Sequence, residues 1–118
     1  MPTQTFSNDS DRRSFRSIFA VCSKLRDIDE NMPLQQALVF LWAALNEGKT
    51  QVDLRRDLDM LSSTASRNLA ALSKVHRLGK PGLNLIEWVE NPEDRRAKLI
   101  YLTVKGRQLA SKLLEPLS

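Results

Sequence analysis

The stretch from Ser62 to Thr103 constrains this chain more than any other. It opens as S-S-T-A-S-R-N-L-A-A-L-S-K-V, breaks at a loop rich in Gly and Pro, and resumes as L-I-E-W-V-E-N-P-E-D-R-R-A-K-L-I-Y-L-T. Before the loop, Ala65, Leu69, Leu72 and Val75 or His76 recur at helical spacing, which predicts an amphipathic helix over 62–77. After it, a pair of runs rich in Val, Ile, Leu, Trp and Tyr, Leu85 to Glu90 and Ala97 to Leu102, flank N-P-E-D. That is strand, turn, strand, and it predicts a hairpin with Asp94, Arg95 and Arg96 at its tip.

Everything else reads as helix. Met1 to about Asn8 is polar and is expected to be a disordered tail, leaving 9–118 as a single domain. Ser10 or Asp9 suits the cap of a first helix whose stripe is Phe15, Ile18, Phe19, Cys22, Leu25 and Ile28. Pro33 fits the first turn of a second helix. Its segment L-Q-Q-A-L-V-F-L-W-A-A-L-N is apolar nearly all round, so it needs cover on several sides, some of it from a second subunit. Gly48 suits its C-terminal cap. Thr50 with Asp53 three positions on opens a third helix, with Val52, Leu54, Leu58 and Leu61 inward. Ser62 caps the fourth. Gly79, Pro81 and Gly82 mark the loop before the hairpin. Thr103 caps a last helix, Val104 to Leu114, with Leu109, Leu113 and Leu114 inward, and Pro116 stops it. A short strand near Lys49 is a further expectation.

The outward side of the fourth helix carries Ser63, Arg67, Ala70, Ala71 and Lys74, with Thr64 and Ser66 on its flanks, and no acid occurs from Ser62 to Arg77. Small residues let a helix lie deep in a major groove, and Arg pairs bidentately with a guanine edge. The charge follows the same division. Residues 49–107 hold twelve Lys/Arg against seven Asp/Glu, while the remainder holds six against seven, so the whole excess of the +4 chain sits in this half. Phosphate neutralisation favours that distribution, although a solvated basic face would look the same on charge alone.

Other classes find less support. No apolar run is long enough to span a bilayer, and the polar start is not a secretory signal. One cysteine excludes an intrachain disulfide and a zinc-thiolate cluster, which fits a cytoplasmic protein. There is no Gly-rich phosphate loop and no nucleophile–base pair in a recognisable setting, so a non-enzyme without cofactor or metal is expected. Cys22 lies on the apolar stripe and reads as a buried core residue rather than a sensor thiol. The lone His76 is no metal site, and Trp42 and Trp88 suit core or interface.

The run Asn91 to Gly106, N-P-E-D-R-R-A-K-L-I-Y-L-T-V-K-G, resembles the wing signature of the multiple-antibiotic-resistance regulator (MarR) family: D-x-R, alternating apolar residues, then L-T-x-x-G. The preceding D-L-R-R-D-L-D-M-L-S-S-T-A-S-R-N-L-A-A-L resembles that family's helix-turn-helix, and together the match covers about 34–113. The resemblance implies a winged helix-turn-helix, mainly α (α+β), with a two-stranded wing and flanking dimerisation helices. It implies a homodimeric transcription regulator, expected to be a repressor, on a pseudo-palindromic double-stranded DNA operator. Carried over residue by residue, Ser63, Thr64, Ser66 and Arg67 approach base edges, Arg95 or Arg96 enters the minor groove, and Asp94 orients the arginine beside it through a salt bridge. Lys74 and Lys98 suit phosphates.

The family often releases DNA when a small aromatic acid binds, which leaves room for a small-molecule effector of unnamed chemistry. Three departures stand out: a longer link from His76 to Asn84, no second long C-terminal helix, and Glu87 and Trp88 where a basic residue is common. The competing readings are a winged-helix protein-interaction module and an accessory DNA-binding factor in replication or partition.

Overall fold

The computed structural model describes residues 2–74, 79–94 and 96–118. Five helices and one hairpin follow in order: α1 (Asp9–Ile28), α2 (Leu34–Leu45), α3 (Gln51–Leu58), α4 (Ser62–Leu72), β1 (Ile86–Val89), β2 (Leu99–Leu102) and α5 (Val104–Leu114), closed by a 3-10 turn at Glu115–Leu117. The strands are antiparallel, with Ile86 opposite Leu102 and Val89 opposite Leu99. The expected third strand is a single bridge between Lys49 and Ile100, made by Ile100 N–H to the Lys49 carbonyl at 2.9 Å. No described helix is long and apolar enough to cross a membrane.

The core gathers around α2. Val39, Phe40 and Ala43 are fully buried, and Leu54, Ala65, Leu69, Leu72, Leu85, Ile86 and Ile100 close over them. The indole N–H of Trp42 donates to Asp57 at 2.9 Å, tying α2 to α3. Its other side is only partly covered: Leu34, Leu38, Leu41 and Leu45, spaced four, three and four, are 37–84% exposed.

α1 departs most from expectation. Of its stripe only Leu25 is buried, whereas Phe15, Ile18 and Phe19 are 54%, 55% and 73% exposed. Cys22 shares that open face and is exposed, which corrects the expected core cysteine. The cause is shape. The molecule measures 60 × 27 × 26 Å, and its radius of gyration of 16.6 Å exceeds the roughly 13–14 Å of a compact chain this long, so much of the apolar side of α1 stands clear of the core. Phe6 packs on Phe15 with ring centroids 4.8 Å apart. The cap of α1 is Asn8, whose side chain accepts from Asp11 N–H at 2.7 Å, not Ser10 or Asp9.

Smaller corrections concern single residues. Val52 is 65% exposed, on the side of α3 away from the buried Leu54, and Leu61, at the cap of α4, is 73% exposed. Leu114 is 62% exposed, one step off the buried Leu109 and Leu113 line. Leu61, not Ser62, holds the cap position of α4, with no side-chain bond.

α4 ends at Leu72, five residues short of the expected 77, with Ser73 N–H bonded to Leu69 and Ala70. Val75 and His76, expected as its last inward position, lie outside the described residues. The link then returns onto the helix end: Gly82, Leu83, Asn84 and Leu85 donate to the carbonyls of Lys74, Ala71, Ser73 and Leu72 at 2.7–3.1 Å. Gly82 is needed there, since a Cβ would collide with the Ser73 carbonyl.

The wing is fixed at its base by Thr103. Its N–H donates to Leu85 O at 3.1 Å, its hydroxyl donates to Asn84 O at 2.6 Å, and that hydroxyl accepts Gly106 N–H at 3.0 Å. Gly106 stands where a capping box would place Glu or Gln. A Cβ at this position would overlap the Leu85 carbonyl, which gives the glycine of L-T-V-K-G a packing reason. Gly106→Ala is expected to lower unfolding free energy by roughly 1–3 kcal/mol in urea titration. An unchanged midpoint would mean that the junction yields freely.

Candidate nucleic-acid interface

The helix-turn-helix is built from local polar bonds. Thr50 Oγ1 accepts Asp53 N–H at 3.4 Å, and Asp53 Oδ2 accepts Thr50 N–H at 3.0 Å, which completes the expected capping box. Arg56 bonds Asp53 at 3.0 Å and lies 3.4 Å from Asp57. The backbone N–H of Thr50 is the largest cause holding the Asp53 carboxyl below the ordinary aspartate value. The indole of Trp42 does the same for Asp57. Asp59 then turns the chain in the left-handed region (φ 49°), with Met60 N–H returning to Arg55 O at 2.9 Å. α4 starts two residues later.

On α4, Ser63 and Arg67 are exposed, and Thr64 and Ser66 are half-buried toward the neighbouring elements. Arg67 takes part in no ion pair among the described residues. Asn68 faces inward and its amide holds Thr64 O at 3.0 Å. Lys74 is exposed but lies beyond the helix end, not on its outer face, because Ser73 has already left the helical path.

The wing tip is two successive turns. Asn91 O accepts Asp94 N–H at 3.2 Å, and Asp94 O accepts Ala97 N–H at 3.1 Å. The Asp94 carboxylate accepts the backbone N–H of Arg96 at 3.1 Å, so what it fixes here is the turn. Arg96 is exposed; Arg95, and the salt bridge expected for it, lie outside the described residues. Trp88 is 41% exposed on β1, and Lys98 Nζ sits 5.2 Å from its ring centroid. The indole thus holds a cation on the wing.

The wing folds back toward the start of α3. A cavity of about 410 Å³ lies between them, with Gln51, Val52 and Leu69 on one side and Trp88, Arg96 and Lys98 on the other. Gln51, which sequence reasoning passed over, donates from Nε2 to Ser66 Oγ at 3.0 Å. Nothing in its position marks it beyond its place in the first turn of α3. Among the described residues no group of three or more His, Cys, Asp or Glu could hold a metal ion.

No protein-family model matches the sequence, and no curated protein does. Solved structures do match. The MepR–DNA complex of S. aureus is 23% identical with a TM-score of 0.70, over 88% of this chain and 77% of that one. The repressor CouR, bound to a 23-mer DNA duplex, is 23% identical with a TM-score of 0.63, over 91% and 68%. A mutant MarR from E. coli complexed with operator DNA is 18% identical with a TM-score of 0.65, over 92% and 70%. The fold is therefore the winged helix of MarR-like regulators, as the wing signature implied.

A pH dependence follows from the capping box. Asp53 binds a proton less readily folded than unfolded, so its stabilisation is complete above the ordinary value of 3.8 and is lost as pH falls through the lower native value. Asp53→Asn is expected to cost about 1 kcal/mol at neutral pH. The urea midpoints of the two proteins should converge below pH 3.8. Curves that stay parallel throughout would exclude this role.

Proposed function

We propose that this chain is a sequence-specific DNA-binding transcription regulator that works as a homodimer and represses by occluding a promoter. One observation carries the reading: the open face of α4 bears Ser63 and Arg67, has no acid and engages Arg67 in no described ion pair, within a helix-turn-helix flanked by a wing that exposes Arg96 and Lys98. A surface helix without an acidic partner for its arginine is suited to a partner that brings negative charge. The DNA complexes of MepR, CouR and MarR share the fold.

In this reading α4 enters the major groove with Ser63, Thr64, Ser66 and Arg67 toward base edges. Arg95 or Arg96 reaches the minor groove from the wing, and Asp94 holds the turn that presents Arg96. Lys74 and Lys98 neutralise phosphates, Lys98 from its seat on Trp88. A cytoplasmic setting belongs with this function. The two exposed apolar stripes support the homodimer: Phe15, Ile18 and Phe19 on α1, and Leu34, Leu38, Leu41 and Leu45 on α2. Contiguous apolar surface of this kind is costly in water unless another surface covers it. A pseudo-palindromic operator follows from two-fold symmetry.

The test is duplex affinity by fluorescence anisotropy across a salt series, with bound sequences selected from a random pool. Tight binding that falls steeply with salt and enriches a palindrome is expected. No binding at low salt would refute the reading. Arg67→Ala should reduce discrimination between the selected site and random duplex by about 1–3 kcal/mol. Arg95→Ala with Arg96→Ala should weaken every duplex and flatten the salt slope; wild-type behaviour in both variants would mean these side chains do not meet DNA. Sedimentation should give a dimer that Phe19→Glu disperses, and a wild-type monomer at DNA-binding concentrations would remove the dimer.

A further inference from the structure

We infer that Gln51 is a positioning residue that sets the hydrogen-bond polarity of Ser66, and so makes Ser66 a donor toward the base edge. The inference rests on the reading of α4 as a major-groove helix. Gln51 stands in the first turn of α3, outside the recognition helix. Its Nε2 lies 3.0 Å from Ser66 Oγ and 3.5 Å from the carbonyl oxygen of Ser62. A carbonyl cannot donate, so the group that faces both atoms is the amide NH2 and not the amide oxygen.

The consequence lies in the hydroxyl. A serine hydroxyl has one hydrogen and two lone pairs. Within a helix that hydrogen ordinarily turns back to the carbonyl four residues earlier, here that of Ser62. Gln51 supplies its own donor to that carbonyl and fills a lone pair of Ser66 Oγ. No described hydrogen bond takes the Ser66 hydrogen, and the side chain is half-buried, with its inner side spoken for. The hydrogen is therefore free to point outward. In the major groove guanine offers O6 and N7, adenine N7 and thymine O4 as acceptors, whereas cytosine offers its N4 donor. Ser66 held in this way donates to a purine or thymine edge, whereas cytosine meets only the one lone pair that remains.

Reversing the polarity of residue 51 tests this. The carboxylate of Gln51→Glu accepts only, so the Ser66 hydrogen would turn inward and a lone pair would face the groove. Full-length wild type, Gln51→Glu, Gln51→Met and Ser66→Ala would each be checked for fold by circular dichroism and used to select sites from a randomised duplex pool. Wild type is expected to disfavour cytosine at one position of each half-site by roughly three- to tenfold. Ser66→Ala should flatten that position alone, whereas Gln51→Met, an uncharged control of similar length with no amide to donate, leaves the Ser62 carbonyl open to the Ser66 hydrogen and should shift the position in the same direction as Gln51→Glu. Gln51→Glu should shift it toward cytosine or adenine and leave the other positions unchanged.

If Gln51→Glu and Gln51→Met weaken all duplexes equally and keep the wild-type preference at every position, Gln51 is a structural residue only and the inference is overturned. A wild-type preference that survives Ser66→Ala overturns it as well. A wild-type chain that enriches no sequence removes the DNA reading itself, and the inference with it.

Discussion

The hydroxyl of Thr103 is the point on which the wing half of the molecule depends. One oxygen donates to Asn84, accepts from Gly106 and so joins the end of the long link, the base of the wing and the start of α5. The backbone of the same residue is bonded to Leu85, which is fully buried against the core. Glu47, just past α2, extends the tie by accepting Leu102 N–H at 3.1 Å and Arg107 at 3.4 Å. Small polar groups with saturated bonding can fix an angle that apolar packing leaves loose, because their geometry is directional. The wing is aimed from its base, and its tip is left to present charge.

The second constraint is the division of labour on α2. One face forms the centre of the core; Trp42 on it reaches Asp57 and sets where α3 lies. The opposite face is a leucine row that the described residues cover only in part, with Leu34 and Leu45 largely exposed and Leu38 and Leu41 less so. The stripe on α1 continues the pattern. A helix apolar nearly all round is stable only when both sides are covered, and here the chain itself covers one.

Much of this was legible in the residues. Strand and turn chemistry located the hairpin, Thr50 with Asp53 and Thr103 located two helix starts, and the helical spacing from Ala65 to Leu72 located the inner face of α4. What failed to be legible depended on contacts between elements. Periodicity marks Phe15, Ile18, Phe19 and Cys22 as one stripe, but it does not say whether the surface that meets it belongs to the same chain. The helical pattern of α4 runs past Leu72 in the sequence, while competing backbone bonds from residues 82–85 end the helix there. Of the proposed DNA contacts, residue type and spacing identified the exposed Ser63 and Arg67. The bond from Gln51 to Ser66 joins two elements through a turn and has no periodic signature.

The longer link between α4 and the wing has a consequence of its own. It leaves at Lys74 and returns at Gly82, and these two residues are clamped by a 3.0 Å backbone bond with three more behind it. Its ends are therefore a fixed pair of posts, and whatever chain joins them is a closed loop. Lengthening such a loop costs little, on the order of 0.6 kcal/mol per doubling. The wing is insulated from the length of the segment that precedes it. Related chains are free to vary this segment without re-aiming the hairpin, and an engineer could graft a reporter peptide or an affinity tag between the posts.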